Sequence, residues 1–186
     1  MTLLDYLIDT SKRINFKKVL EIYHISHGYQ NQYEVNLLNE ANGTFDFWIN
    51  TSLDIKNIEN IILPKHIEKE SKNIVIPSEG ESLKECYNRL LVTERSNYKS
   101  ETPICFEKIM SQKEKIKQEG PGMFFFSQGP FHEFCENYKN IENAENKLVH
   151  LDGLHRLLAI MDLSFKNKLE KIYACIAVRN KFKKNG

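Results

Sequence analysis

A short segment in the last quarter of the chain combines residue types that can hold a phosphate group. Asp152 stands where the N-cap of a following helix belongs and can accept hydrogen bonds from first-turn amides. Gly153 allows a sharp backbone turn and close approach of a ligand. The free amides and dipole of a helix start attract an anion, and His155 and Arg156 add donors, since a guanidinium can grip a phosphate through two parallel bonds. The same pattern also fits a capped helix whose His and Arg point into water, and the local spacing leaves both interpretations open.

The elements predicted around this segment place it at the edge of a sheet. A helix that begins directly after a strand presents its N-terminus at the end of that strand. Hydrophobic spacing and the helix-ending Gly120-Pro121-Gly122 run define the neighbouring elements. Their predicted order is helix 106–118, strand 123–126, strand 147–151, turn 152–153, helix 154–163 and strand 172–178.

This arrangement resembles the ParB/sulfiredoxin-like superfamily. The shared features are a strand, an Asp-Gly-x-His-Arg turn, a helix and a following strand, which here read LVHLDGLHRLLAIMDL and then IYACIAV. The resemblance covers roughly the second half of the chain, and the turn is its specific part. It implies that the turn binds nucleotide phosphates through five consecutive residues, which are Asp152, Gly153, Leu154, His155 and Arg156.

Departures from the motif separate the branches of this superfamily. Sulfiredoxins carry a reactive Cys where this chain has Leu154, which argues against sulfinic-acid reduction. Chromosome-partitioning proteins carry an arginine-rich motif and a helix-turn-helix domain after it, whereas this chain ends about thirty residues later. Free-serine kinases carry Asp-Gly-His-Thr-Arg, of which Asp152, Gly153 and Arg156 match three positions while Leu154 and His155 replace the other two. The kinase branch is therefore the closest in kind.

The resemblance implies a nucleotide-dependent phosphotransferase that acts on a small hydroxylated metabolite, such as an amino acid or a sugar-like compound in a biosynthetic pathway. ATP or ADP, and as a further option CTP, would be the donor together with Mg²⁺. The alternatives are a non-catalytic nucleotide-binding regulator and, less favoured, a DNA-acting nuclease. The sequence selects neither the acceptor nor the oligomeric state.

Catalytic roles in that reaction fall on residues outside the turn as well as within it. His155 can stabilise phosphate charge. No motif places the superfamily's catalytic Glu, so the proton acceptor is sought among polar residues in predicted loops before the turn. These candidates are Glu79, Glu81, Glu94 and His132.

The N-terminal part is predicted to be a β-rich extension. Residues 2–13 read as a short amphipathic helix, and residues 16–50 as an antiparallel meander in which Asn42-Gly43 marks a tight turn. The expected fold is an α/β (α+β) domain of the ParB/sulfiredoxin-like type at 73–186, preceded by this meander extension at 1–72, which together can form one compact domain. His24 and His27 are expected to be ordinary strand residues, and no metal ligands are assigned.

Composition supports a globular protein of the cytoplasm. The 186 residues are 41% hydrophobic and 27% charged, with a net charge of +1, which argues against nucleic-acid and membrane partners. No apolar run is long enough to cross a bilayer, and the first residues lack the features of a signal peptide. The four cysteines, which lack close spacing, are expected to be reduced. They are Cys86, Cys105, Cys135 and Cys175.

Overall fold

A computed structural model of the chain describes residues 6–7, 10–27, 31–63, 65–70, 73–92, 103–129, 147–164 and 169–180. Within these ranges it has six α-helices, one π-helical turn at Asn88–Val92 and seven strands. The helices are α1 (Phe16–His27), α2 (Gln32–Thr44), α3 (Ile55–Ile58), α4 (Leu83–Tyr87), α5 (Pro103–Glu119) and α6 (Leu154–Ser164). The strands are β1 (Lys12–Ile14), β2 (Phe47–Asp54), β3 (Lys65–Glu70), β4 (Asn73–Glu79), β5 (Met123–Gln128), β6 (Leu148–Asp152) and β7 (Lys171–Val178). None of the described helices is both long and apolar enough to span a bilayer.

The fold is mixed α/β and is built on one five-stranded mixed sheet. The strand order is β1-β2-β7-β5-β6, and β3 and β4 form a separate two-stranded hairpin. Strands β5 and β7 are parallel, while the other neighbouring pairs in the large sheet are antiparallel. The sheet therefore joins two N-terminal strands to the three strands of the C-terminal half.

Helices cover both faces of this sheet, which explains its strongly apolar strands. Side chains of Phe124 and Phe126 pack in a core with helices α3 to α6, whereas Phe125 packs on the opposite face with α1 and α2. Alternation along β5 thus sends successive phenylalanines into two different cores. The predicted buried strand at 123–126 is confirmed and runs to Gln128.

The predicted elements of the C-terminal half are confirmed with small changes of boundary. Helix α5 ends at Glu119, directly before the Gly120-Pro121-Gly122 run, where both glycines have a positive φ. Strand β6, helix α6 and strand β7 follow in the predicted order. Turn residues and regular hydrophobic spacing were sufficient signals in this half.

The predicted meander at 16–50 is wrong, because most of it forms the two helices α1 and α2. The apolar residues of α1 were interpreted as a strand, but Val19 and Tyr23 are buried four residues apart on one helical face. The side chain of Asn15 accepts a hydrogen bond from the amide of Lys18 and so caps the helix. Gly43 lies inside the last turn of α2 rather than in a hairpin. Only the end of the predicted meander is a strand, where β2 begins at Phe47.

Candidate functional site

The segment singled out by sequence analysis forms the junction between β6 and α6. Asp152 is the last residue of β6, and Gly153 follows with a φ of 88°. This φ favours glycine, and a Cβ at Gly153 would also lie 3.1 Å from the Arg156 guanidinium, which would have to shift to admit it. The Leu157 amide donates to the Gly153 carbonyl at 2.9 Å. Gly153 therefore occupies the N-cap position, and the prediction that Asp152 caps the helix is wrong by one residue.

The Arg156 side chain fastens helix α6 to the sheet. Its Nη2 donates to the Met123 carbonyl at 2.8 Å and to Oδ2 of Asp152 at 3.2 Å. The guanidinium also lies over the Phe124 ring, 4.2 Å from its centroid. Only 13% of the side chain is exposed. These contacts hold the guanidinium against the sheet, although the residue also borders the cleft described below.

The Asp152 carboxylate meets a histidine from the opposite layer of the molecule. Nε2 of His27, the last residue of α1, lies 2.6 Å from Oδ2 of Asp152. Nδ1 of the same ring lies 3.0 Å from the Tyr23 carbonyl, and the ring stacks on the Tyr23 ring with centroids 4.4 Å apart. The His27 and Asp152 side chains are only 9% and 8% exposed. Contacts on both sides of the ring therefore fix its orientation.

A second carboxylate, from Glu34 in the first turn of α2, completes the group. The Tyr23 hydroxyl donates to Oε2 of Glu34 at 2.5 Å. One ligand-capable atom from each of His27, Glu34 and Asp152 lies within 4.8 Å of the others. We call these three residues the His-Glu-Asp cluster. It draws on three elements that are far apart in the sequence.

The pKa values of the two carboxylates in this cluster are shifted in opposite directions. Burial and the neighbouring Asp152 charge raise the pKa of Glu34, against a smaller opposing effect of the Tyr23 hydrogen bond. Burial also acts to raise the pKa of Asp152, but the hydrogen bond from His27 and the charge of Arg156 outweigh it. The pKa of Asp152 therefore lies below its ordinary range. Glu34 is the carboxylate that bears the unfavourable charge crowding.

A cleft of about 480 Å³ opens onto this cluster. One wall is the β6–α6 junction, where Asp152, Gly153, Leu154, His155 and Arg156 all line the space. Lys108 and Lys115 from α5 also line the cleft, as do His27 and Glu34 of the His-Glu-Asp cluster. The cleft thus combines a helix N-terminus and basic side chains with a negatively charged corner.

One protein family matches almost the whole chain. The sequence profile of a family of unknown function (DUF6309) matches residues 8–183. The chain belongs to the DUF6309 family. No curated protein and no solved structure matches it. Because the match includes α1, α2 and the β6–α6 junction, every wall of the cleft lies within the part shared with the family.

Of the four residues predicted as proton acceptors in this DUF6309 member, only Glu81 has a described side chain, and it does not line the cleft. Glu81 accepts from Nη2 of Arg89 at 2.5 Å and is not among the residues that line the cleft. Glu79 ends β4, and its side chain lies outside the described part of the chain. Glu94 and His132 also fall outside the described residues. His155 does line the cleft, as predicted.

Sequence analysis missed two members of the cluster, His27 and Glu34. Both were placed in predicted strands, where no partner was apparent. One signal was available: Asn31 with Glu34 three residues later is the spacing of a helix start, and Asn31 does cap α2 through its side chain. That signal would have predicted α2. It would not have brought Glu34 to Asp152, because this contact depends on packing between distant elements.

Proposed function

We propose that this protein is a nucleotide-dependent phosphotransferase of the ParB/sulfiredoxin-like type that acts on a small hydroxylated metabolite. One observation carries the proposal. A single cleft joins the N-terminus of α6 and two lysines, which suit phosphate groups, to a carboxylate-rich corner, which suits a cation. Phosphoryl transfer requires positive charge around the phosphates and a rigid arrangement of donor and acceptor, more than covalent help from the protein.

The phosphates of ATP, ADP or CTP would lie against the first turn of α6. Backbone amides and the helix dipole favour an anion there. Lys108, Lys115 and His155 supply further positive charge or donors around the space. A volume of about 480 Å³ is in the range of small-molecule sites. Phosphate contacts of this kind do not distinguish the bases.

The Mg²⁺ that accompanies nucleotides fits this cleft only in part. Glu34 and Asp152 offer the oxygen ligands that Mg²⁺ prefers. The third member of the cluster is the His27 imidazole, which suits other divalent metals better. No step of the reaction is therefore assigned to Mg²⁺ at this cluster.

The test is a thermal-shift panel of ATP, ADP, CTP, GTP and AMP on the full chain, with Lys115→Ala and a matched Lys117→Ala control. Lys115 lines the cleft, whereas Lys117, on the same helix, pairs with Glu114 and is not a lining residue. We expect one nucleotide to raise the melting temperature, and Lys115→Ala to weaken its affinity about tenfold, or about 1.4 kcal/mol. Lys117→Ala should bind as the wild type does. The absence of a shift with every nucleotide at millimolar concentration would refute the proposal.

A nucleotide-binding regulator without turnover is the second candidate. It is favoured by the pairing of Asp152 and Arg156 with each other and with His27 and Met123, because groups that are already paired are less available to a reacting phosphate. Phosphorus NMR of the nucleotide with a panel of small alcohols and hydroxy amino acids separates the two. Acceptor-dependent consumption of the nucleotide supports the transferase, whereas tight binding with no consumption supports the regulator.

A further inference from the structure

We propose that His27, Glu34 and Asp152 form a binding site for a transition-metal dication such as Mn²⁺, Fe²⁺ or Zn²⁺, in preference to Mg²⁺. The inference goes beyond the phosphotransferase proposal, since the site requires no nucleotide. It concerns residues that sequence analysis assigned to no metal.

The three candidate ligand atoms already lie close to the distances that separate the ligands of a bound metal ion. The three atoms lie within 4.8 Å of one another, and Nε2 of His27 lies 2.6 Å from Oδ2 of Asp152. Ligand atoms about 2.1 Å from one ion are about 3.0–3.4 Å apart. Small side-chain shifts, with the imidazole and the carboxylate separating by a fraction of an ångström, would therefore admit an ion. The neighbouring cleft leaves room for water or a substrate oxygen as further ligands.

The hydrogen bonds of the His27 ring leave Nε2 as the nitrogen that can bind a metal. Nδ1 of His27 lies 3.0 Å from the Tyr23 carbonyl and 3.0 Å from the Ser26 hydroxyl. A carbonyl can only accept, and the Ser26 hydroxyl donates to the Ile22 carbonyl at 2.8 Å, so both contacts are satisfied when Nδ1 carries a proton. Metal binding would then displace the proton that Nε2 shares with Asp152 at 2.6 Å and leave the Nε2 lone pair to the ion. Metal-binding histidines show this arrangement, with the second ring nitrogen donating to a carbonyl or carboxylate. Stacking on Tyr23 holds the ring in that orientation.

The local charge also favours a cation. Two carboxylates face one permanent positive charge, Arg156, whose Nη2 is 3.2 Å from Oδ2 of Asp152. His150 also acts electrostatically on Asp152, and the Tyr23 hydroxyl donates to Glu34. Once Nε2 of His27 has released that proton to the solvent, the two carboxylates and Arg156 sum to one net negative charge. A dication between the carboxylates would relieve the repulsion between them.

The ligand types determine which metal is expected. One imidazole with two carboxylates suits Mn²⁺, Fe²⁺ and Zn²⁺, whereas Mg²⁺ favours an all-oxygen shell and retains its waters. The competing explanation for the same contacts is a plain ion pair in which His27 is protonated on both nitrogens and binds Asp152. That arrangement needs no metal, and the experiment distinguishes the two.

The experiment is calorimetric titration of the full, chelator-treated chain with Mn²⁺, Zn²⁺ and Mg²⁺ in the absence of nucleotide. The test variants are His27→Gln and Glu34→Gln. The matched controls are His24→Gln, an exposed residue one turn earlier on α1, and Glu21→Gln, an exposed residue of the same helix. We expect one Mn²⁺ or Zn²⁺ per chain, bound at least about tenfold more tightly than Mg²⁺. Each test variant should lose about tenfold or more in affinity, and the controls should not.

Histidine ¹H–¹⁵N spectra provide a readout that does not depend on the variants. Added Zn²⁺ should shift the Nε2 signal of His27 and leave Nδ1 protonated, with no shift for His24. Absence of Mn²⁺ and Zn²⁺ binding, equal affinity in His27→Gln, or a His27 ring that stays doubly protonated with metal present would each overturn the site. Because no nucleotide is used, failure here is distinct from failure of the nucleotide panel.

Discussion

Two carboxylates at opposite ends of the β6–α6 segment have similar partners but different charge balances. Asp162 on α6 accepts from the Tyr87 hydroxyl at 3.1 Å and forms an ion pair with Lys113. Asp152 at the end of β6 meets His27 and Arg156, but Glu34 and its Tyr23 partner crowd the same place. Asp162 thus pairs with one permanent cation, Lys113. The Asp152 group also has one permanent cation, Arg156, but it adds the His27 imidazole and an additional acid, Glu34.

The difference separates a group that stabilises the fold from a group that suits a ligand. The Asp162 group joins α4, α5 and α6, and burial with the nearby Asp162 charge raises the pKa of Tyr87 to about 12, so the phenol remains a donor. In the Asp152 group, burial and the repulsion from Asp152 raise the pKa of Glu34 and outweigh the opposing effects of Tyr23 and His27. Such unfavourable arrangements concentrate at functional sites, where stability and activity compete.

The largest expected effect comes from removing the cation of the crowded group. Arg156→Ala should lower the free energy of unfolding by about 3–5 kcal/mol, because it leaves two nearby carboxylates without their permanent counter-charge. It also removes the hydrogen bond to Met123 and the contact with Phe124. Lys113→Met in the balanced group should lower the same quantity by only about 1–3 kcal/mol. Urea unfolding of the two variants measures both values.

Arg156→Lys serves as the control, since it keeps the charge and loses the planar contacts. The free energy of unfolding of Arg156→Lys should lie between those of the wild type and Arg156→Ala. Equal losses in Arg156→Ala and Lys113→Met would mean that the additional acid imposes no strain, and the comparison between the two groups would fail.

A smaller loss is expected when the balanced carboxylate is neutralised. Asp162→Asn should lower the free energy of unfolding by about 1.5–3 kcal/mol, because the Lys113 side chain is only 12% exposed and would lose its charged partner. Tyr87→Phe, which removes only the hydroxyl, is the matched comparison and should lose less. An unchanged midpoint in Asp162→Asn would show that the group does not contribute to stability.

Much of the C-terminal half could be predicted because its signals are local. Gly120-Pro121-Gly122 ends a helix wherever the rest of the chain lies, and Phe124 to Phe126 suit a strand buried on both faces. The prediction for the N-terminal half was wrong because Val19 and Tyr23 lie in a run rich in β-branched and aromatic residues. Such a run favours a strand when it is considered alone. The four-residue spacing and the Asn15 cap favour the helix, and tertiary packing decides between them.

The candidate site was predictable only where its residues are contiguous. Asp152 to Arg156 form one motif, so their common location follows from the turn itself. His27 is 125 residues from Asp152 along the chain, and their contact exists because α1 packs against the sheet beside β5. No spacing rule connects such residues. The role of Arg156 also depends on the Met123 carbonyl, a backbone atom that no motif specifies.

Neutralising the additional acid, Glu34, should increase the stability of the protein. Glu34→Gln should raise the free energy of unfolding by about 0.5–2 kcal/mol at neutral pH without added metal, since the amide keeps an acceptor for Tyr23 and loses the repulsion from Asp152. Asp162→Asn gives the opposite sign, so the two neutralising substitutions compare the groups directly. Thermal melts in chelator-containing buffer measure both. A loss of stability in Glu34→Gln would show that Glu34 helps to hold the fold.

The gain in Glu34→Gln should also depend on pH with a defined sign. Burial and Asp152 raise the pKa of Glu34 in the folded chain, so between the unfolded and the folded pKa the native state binds more protons than the unfolded state. Stability of the wild type then falls as the pH rises through that window. The glutamine variant lacks this loss, so its advantage should be small below about pH 4 and should grow until Glu34 is fully ionised. Asp152, whose pKa is lowered, acts in the opposite direction in both proteins, so the difference between the two curves reports the charge of Glu34 and its interaction with Asp152. Urea unfolding of the pair from acid to neutral pH checks this, and an advantage that shrinks with rising pH would contradict the charge crowding on which the comparison rests.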